Sequence, residues 1–431
     1  MKAIRGRFGQ YKILEKDPSL SKHLLETKLF SETSFFSFLE KYNCMIIKPL
    51  VGPKEVRITV NDEAFELATE IQVLHFTSKE ETYKYLIEQV CTRKSYVIQA
   101  VPTNLANRHY LFTLHRKSPK AIWKIVHCTS IDKNNIRSKN RFHGWKLNNF
   151  LITVAKRLGS AFPECHTVVM DIAKVGARKF WLTDTVLHER NSKWSQYHSL
   201  HQKRSLRQFL PTTDLCTKET LFAFLNTYPE VIIKPCVGQQ GRGIVKISMT
   251  SEVNFEIHEK QSKTDKNDFE ELYNYIFEKY LSTKDYIVQQ RISLLEINKS
   301  PFDARVITQL DEDRWISTGM VVKVAAKNYF VSNRASKLLT LDDALLHTEN
   351  GMSNENCAKT FEVVCQKAAK RLQKNVRNIS IIGFDIGIDR NGAVWIIEGN
   401  YAPSLSMFYM FRDNEIHERI TYYLVKNKKR D

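Results

Sequence analysis

The chain has 431 residues, enough for two or three domains of about 100–200 residues each. Its 65 basic and 47 acidic side chains give a net charge of +18, and a hydrophobic content of 42% predicts a buried core. The charge fits an anionic partner, such as a nucleotide, a nucleic acid, an anionic polymer or a membrane surface, but it also fits solubility alone. No apolar run approaches the ~18 residues of a membrane span, and Met1–Gln10 lacks the apolar region of a signal peptide, so we expect a cytoplasmic protein.

The spacing of the cysteines and of the basic residues narrows the class of protein further. None of the eight cysteines forms a CxxC pair, which argues against a zinc site and favours buried free thiols over disulfides. The one short, dense basic run lies at residues 426–430 and is typical of a solvated tail rather than a nucleic-acid surface. Nucleic acid is therefore the least supported of the anionic partners.

In chain order, short segments of the first half recur in the second half. The matched pairs are Phe36–Leu39 with Phe222–Leu225 and Ile46–Pro49 with Ile232–Pro235 at an offset of 186, Tyr96–Gln99 with Tyr286–Gln289 at 190, and Ala155–Leu158 with Ala369–Leu372 at 214. The matches keep their order and the offset only grows, whereas chance similarity would scatter. We therefore predict a tandem duplication, with one copy at residues 1–190 and the other, carrying insertions, at residues 191–431.

The sequence pattern of the second copy predicts a mixed α+β (α/β) module. Helical periodicity or strand-like alternation marks a helix at 218–227, a strand at Val231–Lys234, a helix at 267–281, strands at Tyr286–Gln290 and Ala304–Gln309, a helix at Phe361–Leu372, and a hairpin of Ile381–Ile388 with Val394–Glu398. The hairpin turn falls on Asp389–Gly392, a turn-forming sequence.

A glycine-rich segment follows the strand that ends with Lys234. Its distinctive residues are Gly238, Gly241, Arg242 and Gly243. Glycines let the backbone approach a ligand and present N–H groups to phosphate oxygens. The spacing matches neither a P-loop nor a dinucleotide fingerprint, and an ordinary tight turn is the alternative.

The predicted hairpin places acidic and amide side chains on neighbouring strands. Asp385 lies on the first strand, and Glu398 and Asn400 lie on the second, a spacing that suits two strands side by side. Carboxylate and amide oxygens are ligands suited to Mg²⁺. The alternative is two unrelated acids at strand ends.

Two further strands carry polar residues. Asp303 and Arg305 share one face of a strand, where the arginine could stabilise a transferring phosphoryl group or simply form a surface ion pair. The apolar strand that runs into polar residues at Tyr286–Ile292 could hold adenine through backbone groups or serve only as a core strand.

In this order and spacing, the four constellations resemble the ATP-grasp superfamily, and more closely the YheC/YheD family of endospore coat-associated proteins. The closer resemblance covers roughly residues 190–410 and includes Asn191–Trp194, Leu210–Thr213, Lys234–Pro235, Asp303–Val306, Trp315–Gly319 and Gly383–Asp385. It implies an ATP-grasp fold with ATP and Mg²⁺ as cofactors, and it allows a spore-associated location.

The resemblance also implies roles for individual residues. The phosphates of ATP would be held by Lys193, Lys234, Gly238, Gly241, Arg242 and Gly243, and adenine by Gln289, Gln290, Arg291 and Ile292. Magnesium would be held by Asp385, Glu398 and Asn400. Arg305 would face the reacting phosphoryl group, with Lys323 as a second candidate. The chain departs from its relatives after Asn333, where Arg334–Lys337 replaces a Gly-Gly pair. The resemblance therefore does not indicate what binds on the substrate side of the cleft.

The first copy keeps apolar positions but loses polar ones. Lys48 aligns with Lys234, but the glycines Gly241 and Gly243 align with Glu55 and Arg57. Asp303 and Arg305 align with Leu111 and Thr113. The predicted metal ligands Asp385, Glu398 and Asn400 align with Asp171, Asp184 and Val186. We interpret it as a degenerate copy kept for packing or interaction, the alternative being a second active site.

These features predict an ATP-dependent carboxylate–amine ligase that acts through an acyl phosphate. The acid and the amine are not identified by the sequence. The rival from another class is a nucleotide-binding scaffold with little turnover, associated with sporulation through an anionic polymer or a spore-coat partner.

Overall fold

A computed structural model of the chain describes residues 5–50, 55–61, 64–69, 72–91, 95–102, 109–131, 137–138, 144–175, 179–238, 240–251, 253–332, 334–348, 354–376, 378–411 and 413–428. The chain divides into two compact units. The first unit comprises Met1–Glu189 with Glu270–Tyr286, and the second comprises Arg190–Phe269 with Ile287–Asp431.

The first unit contains two antiparallel sheets. Its strands are β1 (Thr27–Leu29), β2 (Cys44–Pro49), β3 (Val56–Asn61), β4 (Ala64–Ala68), β5 (Val73–Phe76), β6 (Tyr96–Ala100), β7 (His109–His115), β8 (Lys124–Ile131), β9 (Arg137–Ser138), β10 (Cys165–Val175) and β11 (Lys179–Glu189). The six-stranded sheet has the order β1-β6-β2-β3-β4-β5, and the five-stranded sheet has the order β11-β10-β7-β8-β9. The helices are α1 (Arg7–Glu15), α2 (Pro18–Ser21), α3 (Glu32–Lys41), α4 (Lys79–Tyr85), which continues into a π-helical turn at Leu86–Val90, and α5 (Trp145–Ala161).

The second unit also contains two antiparallel sheets. Its strands are β12 (Thr213–Leu215), β13 (Glu230–Pro235), β14 (Val245–Met249), β15 (Phe255–Glu259), β16 (Ser262–Lys266), β17 (Tyr286–Gln290), β18 (Glu296–Ile297), β19 (Ser300–Asp311), β20 (Arg314–Ala325), β21 (Ala335–Leu339), β22 (Ile381–Ile388) and β23 (Val394–Asn400). One sheet has the order β12-β17-β13-β14-β15-β16, and the other has the order β21-β20-β19-β22-β23, with β18 paired to β19.

The helices of the remaining chain complete the element list. They are α6 (Lys193–His201), α7 (Lys218–Thr227), α8 (Phe269–Ile276), α9 (Leu341–Leu346), α10 (Asn354–Leu372), α11 (Ser406–Met410) and α12 (Asn414–Lys428). Short 3₁₀ helices lie at Arg204–Phe209 and Gln373–Asn375, and a π-helical turn at Phe277–Leu281 follows α8.

Helix α10 illustrates how sequence spacing sets the packing of the second unit. Its buried residues, Phe361, Val364, Cys365, Ala368 and Leu372, recur at the three- and four-residue spacing of one helical face. They share a core with Phe384 and Ile386 of β22 and with Val306 of β19. Because this core holds β19 and β22 in place, the polar side chains of the same two strands acquire fixed positions.

Local features repeat between the two units. Helices α3 and α7 both begin with a capping box, formed by Ser31 and Ser34 in one and by Thr217 and Thr220 in the other. In the first unit Gln99 donates a hydrogen bond to Thr27 at 3.1 Å, and in the second unit Gln289 donates one to Thr213 at 2.8 Å. The two units therefore share both the strand order of their sheets and individual side-chain contacts.

Most of the predicted elements of the second half are confirmed. Helix α7, strand β17 and both strands of the predicted hairpin match their expected bounds to within two residues. The expected helix at 267–281 is shorter, because α8 gives way to the π-helical turn. Strands β15 and β16 were missed, since β16 is largely polar and exposed and the turn before it contains Lys260 at φ 54° instead of glycine.

All eight cysteines are free thiols, as expected, and six of them are buried. Among the described residues, no helix combines the length and the apolar character that a bilayer crossing requires.

Candidate functional site

A cleft in the second unit opens between β13 and β17 on one side and β19, β22 and β23 on the other. One part of its lining is apolar and contains Ile232, Ile244, Ile292, Leu294, Phe302, Phe330 and Ile397. The other part is polar and contains Lys234, Gln289, Asp303, Ser332, Asp385 and Glu398. The cleft therefore offers an apolar surface and a cluster of charges to the same ligand.

Lys234 is a buried cation at the end of β13. Its Nζ donates a hydrogen bond to Oε1 of Gln289 at 2.7 Å, and Gln289 is held in turn by Thr213. Burial lowers the pKa of Lys234 to about 8, against the opposing effect of the Glu398 carboxylate and with further lowering by Lys193. The lysine is thus poised to gain charge stabilisation from an anionic ligand.

Lys193 links the start of α6 to two parts of the cleft. Its Nζ lies 3.1 Å from Oε1 of Glu398 on β23, and it also donates a hydrogen bond to the carbonyl oxygen of Gly238 at 3.1 Å. Its backbone N–H donates to the carbonyl of Cys236 at 2.9 Å. Lys193 therefore lies where the glycine-rich segment and the acidic hairpin approach each other.

The glycine-rich segment turns through left-handed backbone conformations. The residues with positive φ are Gln240 (58°), Gly241 (67°) and Gly243 (77°). Left-handed φ is readily adopted by glycine and strained for most other residues, so these glycines permit the turn. Arg242 is exposed within it, whereas Gln239 lies outside the described residues.

A buried network of charges surrounds Asp385. Arg305 donates two hydrogen bonds to this carboxylate, at 2.7 and 3.0 Å, and Lys323 donates a third at 3.0 Å. Lys323 also lies 2.8 Å from Asp303, which accepts a hydrogen bond from Ser332. The cationic partners hold Asp385 in its charged form and bring its pKa below the usual range despite its burial, whereas burial raises the pKa of Asp303.

Five of the ten predicted cofactor residues line the cleft, namely Lys234 and Gln289–Ile292. The other five, Lys193, Gly238, Gly241, Arg242 and Gly243, are not among its lining residues. Gln290, Arg291 and Ile292 line the cleft, but the side chain of Gln289 is committed to Lys234 and Thr213. Arg305 and Lys323 donate hydrogen bonds to the carboxylate of Asp385, and neither is among the lining residues of the cleft.

The residues predicted to hold magnesium lie on paired strands. Asp385 is the cross-strand partner of Glu398, and Asn400 is the partner of Gly383 two residues away. Each of the two carboxylates is already paired with a protein cation. Within the described ranges, no cluster of three His, Cys, Asp or Glu side chains is close enough to hold a metal ion. The magnesium ligand set remains a prediction.

Several site residues escaped the sequence analysis. Ser332 pairs with Asp303, and Phe330 forms part of the apolar wall with Ile232 and Ile244. No local pattern distinguishes Phe330 or Ser332, and Asn333 next to them lies outside the described residues. Thr213 had a detectable signal, because it lies at the 186-residue offset from Thr27.

The first unit has different contacts at the corresponding positions. Arg7 begins α1 as Lys193 begins α6, and it forms a bidentate pair with Asp184, the counterpart of Glu398. Lys48 is buried and donates to the carbonyl of Thr183 at 3.1 Å.

Strand register corrects one alignment between the two units. Asp171 pairs with Leu111 across β10 and β7, as Asp385 pairs with Arg305 across β22 and β19. Arg305 therefore corresponds to Leu111, not to Thr113 as the sequence alignment predicted. By the same register Asp303 corresponds to His109, which forms an ion-pair contact with Asp171 at 3.0 Å.

Comparisons with known proteins identify the family. Residues 2–110 and 188–427 match the model of the YheC/D-like ATP-grasp family. The chain belongs to this family.

Two curated relatives come from Bacillus subtilis (strain 168). The chain is 28% identical to endospore coat-associated protein YheD over 225 residues, which covers 50% of this chain and 49% of YheD. It is 23% identical to endospore coat-associated protein YheC over 234 residues, which covers 52% of this chain and 63% of YheC. The chain thus spans about half of the length of YheD and less than two thirds of the length of YheC.

Solved structures with some similarity include two ligand complexes. N5-carboxyaminoimidazole synthetase from Staphylococcus aureus with ADP has a TM-score of 0.33 at 12% identity, covering 51% of this chain and 47% of that one. The ATP-grasp ligase PsnB with minimal precursor, Mg and ADP has a TM-score of 0.32 at 15% identity, covering 55% of this chain and 59% of that one.

Proposed function

We propose that the second unit binds Mg-ATP in the cleft and uses it to join a carboxylate to an amine through an acyl phosphate. The observation that carries the proposal is the convergence of buried Lys234 and Asp385 with half-buried Glu398 beside an apolar wall in one cleft. ATP binding is also in keeping with membership of an ATP-grasp family.

The two parts of the cleft suit the two ends of ATP. Adenine would pack against Ile232, Ile244 and Phe330, with the backbone of Gln290–Ile292 at its edge. The phosphates would lie near Lys193 and Lys234, beneath the glycine-rich turn with Arg242, where cations and backbone N–H groups oppose their charge.

Nucleotide entry requires the cleft to open. Its volume is about 80 Å³, well below the roughly 300–1,000 Å³ of typical ligand pockets. The glycine-rich turn is the segment best suited to move, because its backbone already uses conformations that glycine permits.

Asp385, Glu398 and Asn400 fit magnesium by the chemistry of their oxygen donors and their places on paired strands. When bound, the ion would neutralise phosphate charge. Lys193 would then leave Glu398 and bind the phosphates. Arg305 and Lys323 would keep Asp385 ionised and place positive charge behind the reacting phosphoryl group.

The proposed reaction has two displacements. A carboxylate oxygen of the substrate attacks the γ-phosphorus of ATP, the bond to the bridging oxygen breaks, and ADP leaves with the bonding electrons. The amine then attacks the acyl carbon, the bond to phosphate breaks, and the nitrogen gives up a proton. Positioning and charge stabilisation supply most of the catalysis in such a transfer.

We further propose that the first unit is a degenerate copy of the second. The shared strand orders, capping boxes and Gln–Thr hydrogen bonds support a duplication. The bidentate Arg7–Asp184 pair occupies the position of the Lys193–Glu398 pair, and Glu55 lies 3.5 Å from Lys48. A carboxylate there would repel phosphate, so we assign this unit a role in packing or interaction.

One observation favours a scaffold with little turnover as the second candidate. Asp385 is fully engaged by Arg305 and Lys323, so its carboxylate is neutralised without a metal ion. Under this candidate the protein would bind nucleotide and act by association with an anionic polymer or a spore-coat partner, which suits relatives named as endospore coat-associated.

A matched pair of substitutions tests nucleotide binding. We expect Mg-ATP to raise the melting temperature of the native protein, and Asp385→Asn to abolish that rise. Asp171→Asn, at the corresponding position of the first unit, should leave it intact. No melting shift for the native protein, together with no binding by calorimetry, would exclude the proposal.

A second assay separates the ligase from the scaffold. The native protein is mixed with Mg-ATP and pools of carboxylic acids and amines, and ADP is measured. Acid- and amine-dependent ADP release that Asp385→Asn removes supports the ligase. Nucleotide binding without ADP release from any pool favours the scaffold.

A further inference from the structure

A second groove on the second unit lies between the 3₁₀ helix Arg204–Phe209 and helix α10. It has a volume of about 600 Å³ and shares no lining residue with the nucleotide cleft. The proposed ATP chemistry gives it no role.

The groove is cationic. Arg204 lines one wall, and Lys359 and Lys367 line the other, and all three side chains are exposed. Its described lining contains no acidic residue, and none of the three cations has an ion-pair partner within the part of the chain that the structure describes. Their charges are therefore available to an external anion.

Both walls are fixed before any ligand arrives. Leu206 of the 3₁₀ helix and Phe361 and Val364 of α10 are buried in one core. Arg371 at the end of α10 donates hydrogen bonds to the carbonyl of Ser199 at 2.6 Å and to Gln202 at 2.8 Å. A preformed groove avoids the entropy loss of ordering its walls on binding.

The groove also has an apolar strip between its cations. Val363, which is 40% exposed, lies between Lys359 and Lys367, and Phe209 contributes from the other wall. The three α10 residues are four positions apart and share one helical face, so the two lysine positions are about 12 Å apart along the helix.

We propose that this groove binds an extended acidic segment of a polypeptide. A strand-like chain advances about 3.3 Å per residue, so carboxylates four residues apart, which share one face of the strand, would reach both lysines. An apolar side chain between them would cover Val363. A polyphosphate or a nucleic-acid backbone matches the charge but brings no aliphatic group to the apolar strip, which is why the observations favour a peptide.

The test uses the full chain and a fluorescein-labelled octapeptide with glutamates two residues before and two residues after a central leucine, read by fluorescence polarisation at low salt. We expect saturable binding that weakens about tenfold with Lys367→Glu, in keeping with loss of one ion pair and gain of a repulsion. Lys370→Glu is the matched control, because it changes net charge equally from an exposed position on the same helix outside the groove. It should change affinity less than about twofold.

Two further arms locate the contacts. A peptide with serine in place of leucine should bind the native protein more weakly. The Val363→Ser variant should bind the leucine and serine peptides equally well. This comparison still tests the proposal if Lys367→Glu fails to fold. Equal weakening by Lys367→Glu and Lys370→Glu would reduce the effect to net charge and overturn the proposal. So would absence of saturable binding, or tighter Lys367-dependent binding of polyphosphate or an oligonucleotide. Asp385→Asn should leave peptide binding unchanged, so failure of the ATP proposal and of this one are separable.

Discussion

Lys234 shows how one side chain can be both costly to the fold and useful to the site. Its burial lowers its pKa to about 8, and its hydrogen bond to Gln289 keeps it directed into the cleft. Between pH 8 and about 10.4 the unfolded chain retains a proton that the folded protein has lost, so this lysine's contribution to stability rises with pH across that window.

Mg-ATP affinity should fall as Lys234 loses its proton. Between pH 7 and 9 the dissociation constant should rise about tenfold, because most of the free protein loses the charge that phosphate requires. The phosphates themselves are already mostly ionised at about pH 7 and change little above it. Isothermal titration calorimetry at constant ionic strength measures the change.

Lys234→Arg provides the control, since arginine stays charged over this range. Its affinity, even if weaker, should depend little on pH. A native dissociation constant that is the same at pH 7 and pH 9 would contradict a role for the charge on Lys234.

Lys323 should be a stabilising residue because it lies between two buried carboxylates. Lys323→Met would leave Asp303 without its cation, and removing one partner of a buried ion pair typically destabilises by about 3–5 kcal/mol. The matched control is Lys246→Met, which breaks a more exposed pair with Glu230 and should change stability by about 1 kcal/mol or less. Urea unfolding at pH 7.5 measures both.

The pH dependence of the Lys323→Met effect distinguishes charge burial from lost packing. Burial already raises the pKa of Asp303, and removing Lys323 raises it further. The folded variant then holds a proton that the unfolded chain releases, so the destabilisation should shrink as pH falls towards 5. A loss of stability that is the same at pH 7.5 and pH 5 would indicate packing instead.

The sequence shows which charged residues belong to the site better than it shows which residues they contact. Lys234 and Asp385 are recognisable because each is a charged residue on an apolar strand. The contact of Arg305 with Asp385 depends on the register of β19 against β22, which joins residues 80 positions apart. No local pattern encodes that register, so the contact with Asp385 was not predicted, and the role of Arg305 at the phosphoryl group stays a prediction.

We expect phosphate binding to depend most on the glycine-rich turn before β14. Gly243 has φ 77°, so Gly243→Ala should strain the turn by about 1–2 kcal/mol and displace its N–H groups. We expect a clear loss of Mg-ATP affinity in calorimetry. Gly392→Ala is the control, because Gly392 has φ 81° in the turn between β22 and β23. It should lower the melting temperature similarly while Mg-ATP affinity is retained. Retained Mg-ATP affinity in Gly243→Ala, with a loss in Gly392→Ala, would show that the glycine-rich turn does not bind phosphate.

Elements with strong periodicity were predictable, and those defined by tertiary pairing were not. Helix α7 has a Thr217 cap and apolar residues at helical spacing, so both its type and its start follow from local sequence. Strand β16 is mostly polar, and only its pairing with β15 makes it a strand. The helix expected to run to residue 281 changes to π-helical geometry at Phe277, which periodicity cannot distinguish.

The division into two units with the same strand orders links the local repeats to the whole chain. The growing offset between repeats indicated insertions but not their positions. Register places Leu111 opposite Asp171 and Arg305 opposite Asp385, so the offset reaches 194 already at β7 and β19. The alignment of Asp303 and Arg305 failed by two residues for that reason. A two-residue shift leaves each side chain on the same face of its strand, so the alternating pattern does not reveal the error.

Two buried lysines at corresponding positions test whether one unit or both bind nucleotide. Lys234 contacts Gln289 in the second unit, and Lys48 contacts the carbonyl of Thr183 in the first. Both replacements by alanine remove a buried cation of the same size, so their effects on folding should be comparable. Saturating Mg-ATP should raise the melting temperature of native protein and of Lys48→Ala by several degrees, and that of Lys234→Ala hardly at all. An equal loss of the shift in both variants would assign nucleotide binding to the first unit as well, because Glu55 beside Lys48 would then not exclude phosphate.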